Sequence, residues 1–103
     1  MSDLRQLERE QARWHILVIL QSARPVGATE VTIQMALHDL VPVTPLEVRQ
    51  ELRYLEQLGL IRLRGTDTPR WSAELLPAGV DLVEYTTPDA EVPRGIARPR
   101  KYW

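Results

Sequence analysis

Arg49, Gln50, Arg53, Tyr54 and Gln57 recur at steps of one, three and four residues within Thr44–Ile61. That spacing gathers them on one side of a helix. If Val48, Leu52 and Leu55 face inward, the opposite side carries Leu46, Gln50, Arg53 and Gln57, flanked by Arg49 and Tyr54. Arginine and glutamine make paired hydrogen bonds to guanine and adenine edges, and arginine also meets phosphate. No acid lies in the middle of this strip, because Glu47, Glu51 and Glu56 fall toward the edges of the buried stripe. Arg49 and Arg53, four apart, repel slightly in an isolated helix and become favourable when an anion sits between them. The same residues equally suit a solvated face, where arginine and glutamine serve solubility and helix propensity.

A second basic pair, Arg62 and Arg64, shares the outward side of a short alternating segment. There it can straddle a phosphate backbone or discourage edge-to-edge aggregation. Arg94, Arg98, Arg100 and Lys101 follow in a proline-rich end that also holds Ile96, Tyr102 and Trp103. Such an arm either enters a groove or folds back on protein, and two terminal aromatics favour docking on protein. Other chemistry is thinly represented. The chain has no cysteine, which removes thiolate catalysis, disulfides and cysteine-bound zinc together. His15 sits beside Trp14 as a packing residue, and His38 pairs with Asp39 near a helix end. Two such histidines do not make a metal site. Ser22 and Ser72 lack a nucleophile elbow, and no glycine-rich phosphate loop is present. The expectation is a protein without catalytic residues, metal or cofactor.

The 103 residues, 44% hydrophobic and 26% charged, suit one small domain with a tail. A net charge of -1 argues against indiscriminate nucleic-acid binding. The longest apolar run, Ile16 to Leu20, is too short to span a bilayer, and the N-terminus has no export signature. A cytoplasmic protein without membrane contact is expected.

These side chains need a scaffold. Ser2–Ser22 has no proline or glycine, and Leu4, Leu7, Trp14, Leu17 and Val18 recur at helical spacing. Ala12, Ile16, Ile19 and Leu20 add a second apolar face, so this helix is either central to the domain or also packs in a dimer. A second helix begins at about Thr29, with Ile33, Ala36, Leu37 and Leu40 inward and Val31 and Met35 broadening the stripe. Thr44-Pro45-Leu46-Glu47 combines a threonine cap, proline at the first helical position and a glutamate that closes a capping box. This third helix stops at Gly59. Leu60–Arg64 and Trp71–Leu75 read as a hairpin, Pro77–Val83 as a short last helix weakened by Gly79, and the remainder as an extended tail. The fold class expected is mainly α with a small β-hairpin, a winged helix-turn-helix of three core helices plus a wing. Residues 1–84 form that domain and residues 85–103 a basic and aromatic C-terminal tail.

Three segments carry a resemblance: Glu51 to Ile61, Leu75 to Val83, and Val92 to Pro99 with its Val-Pro, Gly and Arg-Pro. Together they resemble a family of winged-helix proteins of Mu-like phages and prophages, some of them ArsR-like helix-turn-helix regulators. Glu84-Tyr85 departs from that pattern, which has a small residue and glycine there. The resemblance implies a phage-derived protein and carries over no catalytic residues. Two functions are consistent with it. One is a DNA-binding regulator, dimeric through the first helix and the tail, with Arg49, Gln50, Arg53, Tyr54 and Gln57 in the major groove of double-stranded DNA and Arg62 and Arg64 on the wing. The other is an assembly module of a Mu-like phage that binds no DNA.

Overall fold

The computed structural model describes residues 2–101 and is a winged helix-turn-helix, mainly helical with a small sheet. In chain order it runs α1 (Ser2–Ser22), β1 (Ala28–Thr29), α2 (Glu30–Leu37), α3 (Pro45–Gln57), β2 (Ile61–Arg64), β3 (Ser72–Leu75) and α4 (Pro77–Val83), with a 3-10 turn at Asp89–Glu91.

The helix starts follow their local chemistry. Thr29 accepts from the Thr32 amide to open α2. At α3 both halves of the capping box form, Glu47 N–H to Thr44 Oγ1 at 3.2 Å and Thr44 N–H to Glu47 Oε1 at 2.9 Å. A cap of this kind stabilises a helix by about 1 kcal/mol. α4 forms across Gly79 because that residue is buried so tightly that an added Cβ would lie 2.4 Å from the Leu60 carbonyl oxygen. Glycine there costs helix propensity and permits the closest approach of α4 to the chain entering β2.

The sheet is three-stranded, in the order β1-β3-β2 and antiparallel throughout. The expected hairpin pairs Ile61 with Leu75 and Leu63 with Ala73. The additional strand, Ala28–Thr29, pairs with Ala73 and Ser72 on the other edge of β3. Two residues carry no readable alternation, so tertiary pairing alone reveals it.

α1 is the central helix. Ala12, Ile16, Leu17 and Leu20 are fully buried, and α2, α3, α4 and β3 all pack on it. Of the first set of apolar residues at helical spacing, Trp14 and Leu17 are buried, while Leu4, Leu7 and Val18 remain exposed. α2 also departs from expectation. Ile33 and Leu37 are buried, while Ala36 and Leu40 face outward with Val31 and Met35. The helix is only eight residues long, and the turn after it gives the core position to Val41 instead.

The segment after α4 folds back on the domain. Ile96 joins the core cluster at 7% exposure. The Arg98 side chain is 3% exposed and donates to the carbonyl oxygens of Leu82 (3.1 Å) and Thr87 (2.9 Å) and to Asp89 (2.6 Å). Tyr85, in the position noted for its departure from glycine, has a left-handed φ of 62°. Its ring meets Trp14 edge-on at 6.1 Å and its hydroxyl donates to Pro99 O, contacts that offset the backbone cost. The proposed docking of Tyr102 and Trp103 lies outside the described residues.

Candidate nucleic-acid interface

α3 is braced on both flanks, and the bracing decides which of its polar groups stay open. On the first flank α1 supplies a column of arginines to α3 acids: Arg5 to Glu47, Arg9 to Glu51 at 3.1 Å and Arg13 to Glu51 at 2.7 Å. Arg13 and Glu51 are 3% and 2% exposed. Glu51, expected at a solvated edge, therefore sits in the core boundary with two arginine partners. Arg13 also lies 3.7 Å from the centre of the Tyr54 ring and donates to Gly95 O at 3.0 Å. Tyr54 in turn donates its hydroxyl proton to Arg94 O at 2.8 Å. Gly95 permits this closure, since its φ is +93° and an added Cβ would stand 2.4 Å from the Tyr54 oxygen.

The second flank is held by Glu30 at the start of α2. Arg49 Nε and Nη2 donate to its two carboxylate oxygens, both at 2.6 Å, and Nη2 reaches Pro69 O at 3.0 Å. Glu30 also accepts the Trp71 amide at 3.2 Å. The guanidinium groups of Arg49 and Arg53 stand over the Trp71 ring at 4.5 and 4.8 Å. Hydrogen bonds from Arg49 hold the Glu30 carboxyl below its ordinary pKa, against the opposing effect of burial. This cluster ties the start of β3 and the loop before it to α3.

Between the flanks runs the open strip. Leu46, Gln50, Arg53 and Gln57 are exposed, as the helical spacing requires. Arg53 also meets Glu56 at 3.1 Å, a pairing at i,i+3. Arg49 and Tyr54, expected to project from this face, are engaged by their own chain: Arg49 by Glu30, Pro69 and Trp71, Tyr54 by Arg13 and the 94–95 segment. On the wing, Arg62 and Arg64 project outward as expected, and both donate to Glu74 Oε1, at 3.2 and 2.9 Å. The Arg64 and Arg62 bonds hold the Glu74 carboxyl low.

Sequence reasoning missed Glu30, Trp71 and Arg13 as determinants of this face. Only Arg13 left a trace, a lone cation among Ala12, Trp14, Ile16 and Leu17. His38 Nδ1 and Asp39 Oδ1 lie 3.2 Å apart at the exposed end of α2. Among the described residues no group of three or more histidine, aspartate or glutamate side chains is placed to hold a metal, and no helix is long and apolar enough to cross a membrane.

No protein-family model and no curated protein matches the sequence. Solved structures do. The chain is similar to MepR of Staphylococcus aureus in complex with DNA, at 33% identity and a TM-score of 0.58, over 70% of this chain and 50% of MepR. It is similar to MepR described as a transcription regulator of the multidrug efflux pump MepA, at 28% identity and a TM-score of 0.62, over 82% of this chain and 59% of MepR. A point variant of MepR bound to an oligodeoxyribonucleotide gives 32% identity and a TM-score of 0.61, over 81% and 59%. The chain thus spans half to three-fifths of the length of these proteins. They correct the resemblance to Mu-like phage proteins, and with it the phage-derived origin and the assembly module without DNA. The likeness is to a bacterial regulator of the MarR family. Of the three segments that carried the resemblance, Glu51–Ile61 encodes a helix stop and a strand start, features that winged helices share whatever their lineage.

Proposed function

We propose that this chain is a MarR-type, DNA-binding transcription regulator that works in the cytoplasm as a homodimer. α3 lies in the major groove and reads base edges through Gln50, Arg53 and Gln57, while Arg62 and Arg64 on the wing meet phosphate. Arg49 sets the angle between wing and helix from its seat on Glu30 and Trp71, and Tyr54 braces the other flank. The observation that carries this reading is the likeness, at 33% identity, to a winged helix solved on DNA. The open strip of α3 supports it independently, because it holds two amides, one cation and a leucine with no acid at its centre.

The dimer is drawn from α1. Leu4, Leu7 and Val18 are exposed at intervals of three and eleven residues, which align them along one side of the helix. A second copy would cover this apolar line by a two-fold contact.

Retardation of a random-sequence duplex, measured between about 50 and 200 mM salt, tests the reading, since each phosphate neutralised steepens the decline in affinity. The parent binds and weakens steeply with salt, and Gln50→Ala with Arg53→Ala removes the signal. Both substitutions lie on the exposed strip and leave the core intact. A double variant that binds as tightly as the parent would remove α3 as the reader, and a parent that never binds would remove the function itself.

A further inference from the structure

Leu46 stands on the open strip of α3 at 67% exposure, in the first turn of the helix and four residues before Gln50. Val31 and Met35, on the neighbouring side of α2, are 64% and 72% exposed. With Pro45 these side chains line a cleft of about 550 Å³ between α2 and the start of α3. Three large apolar groups gathered on the face that otherwise displays Gln50 and Arg53 contribute little to the core, which Val48, Leu52 and Leu55 fill from the far side of the helix. A contiguous exposed patch of this kind marks a contact surface.

From this placement we infer that Leu46 is a specificity residue that packs on the C5-methyl group of thymine, with Met35 and Val31 extending the same apolar surface. The inference rests on the proposed seat of α3 in the major groove. Thymine's methyl is the apolar group that base pairs present there, and it lies beside the adenine edge that a glutamine recognises. Leu46 and Gln50 share one line of α3, so they face adjacent parts of the same groove. The charge around the cleft fits that occupant. Its one acid, Glu30, is bound at both oxygens by Arg49, and Arg53 stands a turn further on, so the cleft is lined by no unpaired carboxylate. A partner that buried only apolar surface would gain nothing from this rim of amide and guanidinium groups.

Duplexes selected by the parent from a randomised pool supply the probe. Each thymine is then replaced in turn by deoxyuridine, which deletes the methyl and leaves the pairing edge unchanged. At one or two positions the parent loses about fourfold in affinity, the worth of one buried methyl group. Leu46→Ala loses a similar factor on the thymine duplex and is indifferent to deoxyuridine there, so the two changes do not add. Alanine is the best helix former, and circular dichroism of the variant confirms that α3 persists. If deoxyuridine is tolerated everywhere, or weakens parent and Leu46→Ala equally, the inference falls while the DNA-binding reading stands. If no duplex is selected, both fall. If Leu46→Ala changes the mass of the free protein and methyl removal has no effect, the patch is a contact between copies and the inference is overturned.

Discussion

Removing the Glu51 carboxylate isolates a charge that the fold has taken almost wholly out of water. Arg13, 3% exposed, loses its 2.7 Å partner in Glu51→Ala and keeps only the Tyr54 ring at 3.7 Å and Gly95 O at 3.0 Å. Breaking a buried pair by deleting one member costs about 3–5 kcal/mol. The surviving contacts hold the loss toward the lower end, since a desolvated cation over a ring retains about 2 kcal/mol of attraction. Arg9, half in water, adds under about 1 kcal/mol to the total. The expected loss is therefore about 3 kcal/mol, a large share of the roughly 5–15 kcal/mol typical of such a domain. Urea unfolding followed by circular dichroism reads it directly. Arg13→Met combined with Glu51→Leu restores most of the stability, because an apolar pair of similar volume removes both desolvation penalties. A loss below about 1 kcal/mol for Glu51→Ala would show instead that water reaches the Arg13 guanidinium and that the pair is not desolvated.

Acid weakens the wing attachment through Glu30. Its folded pKa lies below the ordinary 4.5, so its contribution is complete above that value and is lost as pH falls through the folded pKa. Unfolding free energy measured from about pH 6 down to about pH 3 declines less steeply in Glu30→Gln than in the parent, and parallel curves would rule the linkage out. Ile96→Ala cuts a fully packed side chain from the returning segment and lowers stability by about 2–4 kcal/mol, with faster proteolysis after α4. Thermal unfolding unchanged by that substitution would mean the 92–99 segment contributes nothing to the core.

The elements of this chain were legible because each is written in short-range chemistry. Thr44-Pro45-Leu46-Glu47 satisfies the first amides of α3 from within four residues, and the alternation of Ile61–Arg64 sets which side chains meet the core. The uncovered side of α3 follows from the same 3.6-residue period, which is why Gln50, Arg53 and Gln57 stand open. Lineage was not legible on those terms. Two of the three segments that resembled Mu-like phage proteins, Glu51–Ile61 and Leu75–Val83, lie in the winged helix itself, and the likeness to MepR emerged with the fold in three dimensions.

Periodicity says which way a side chain points and nothing about what arrives to meet it. Arg49 finds Glu30 19 residues away, Arg13 finds Glu51 across 38, and Tyr54 meets Arg94 across 40. Such pairings form because packing α1, the wing and the returning tail around α3 removes water from charged and polar groups that must then be matched. Sequence alone thus determined the helices, the strands of the wing and the polar strip as a whole. Tertiary structure decided which members of that strip brace the scaffold and which remain exposed, because desolvation and charge pairing depend on neighbours that only the folded chain brings together.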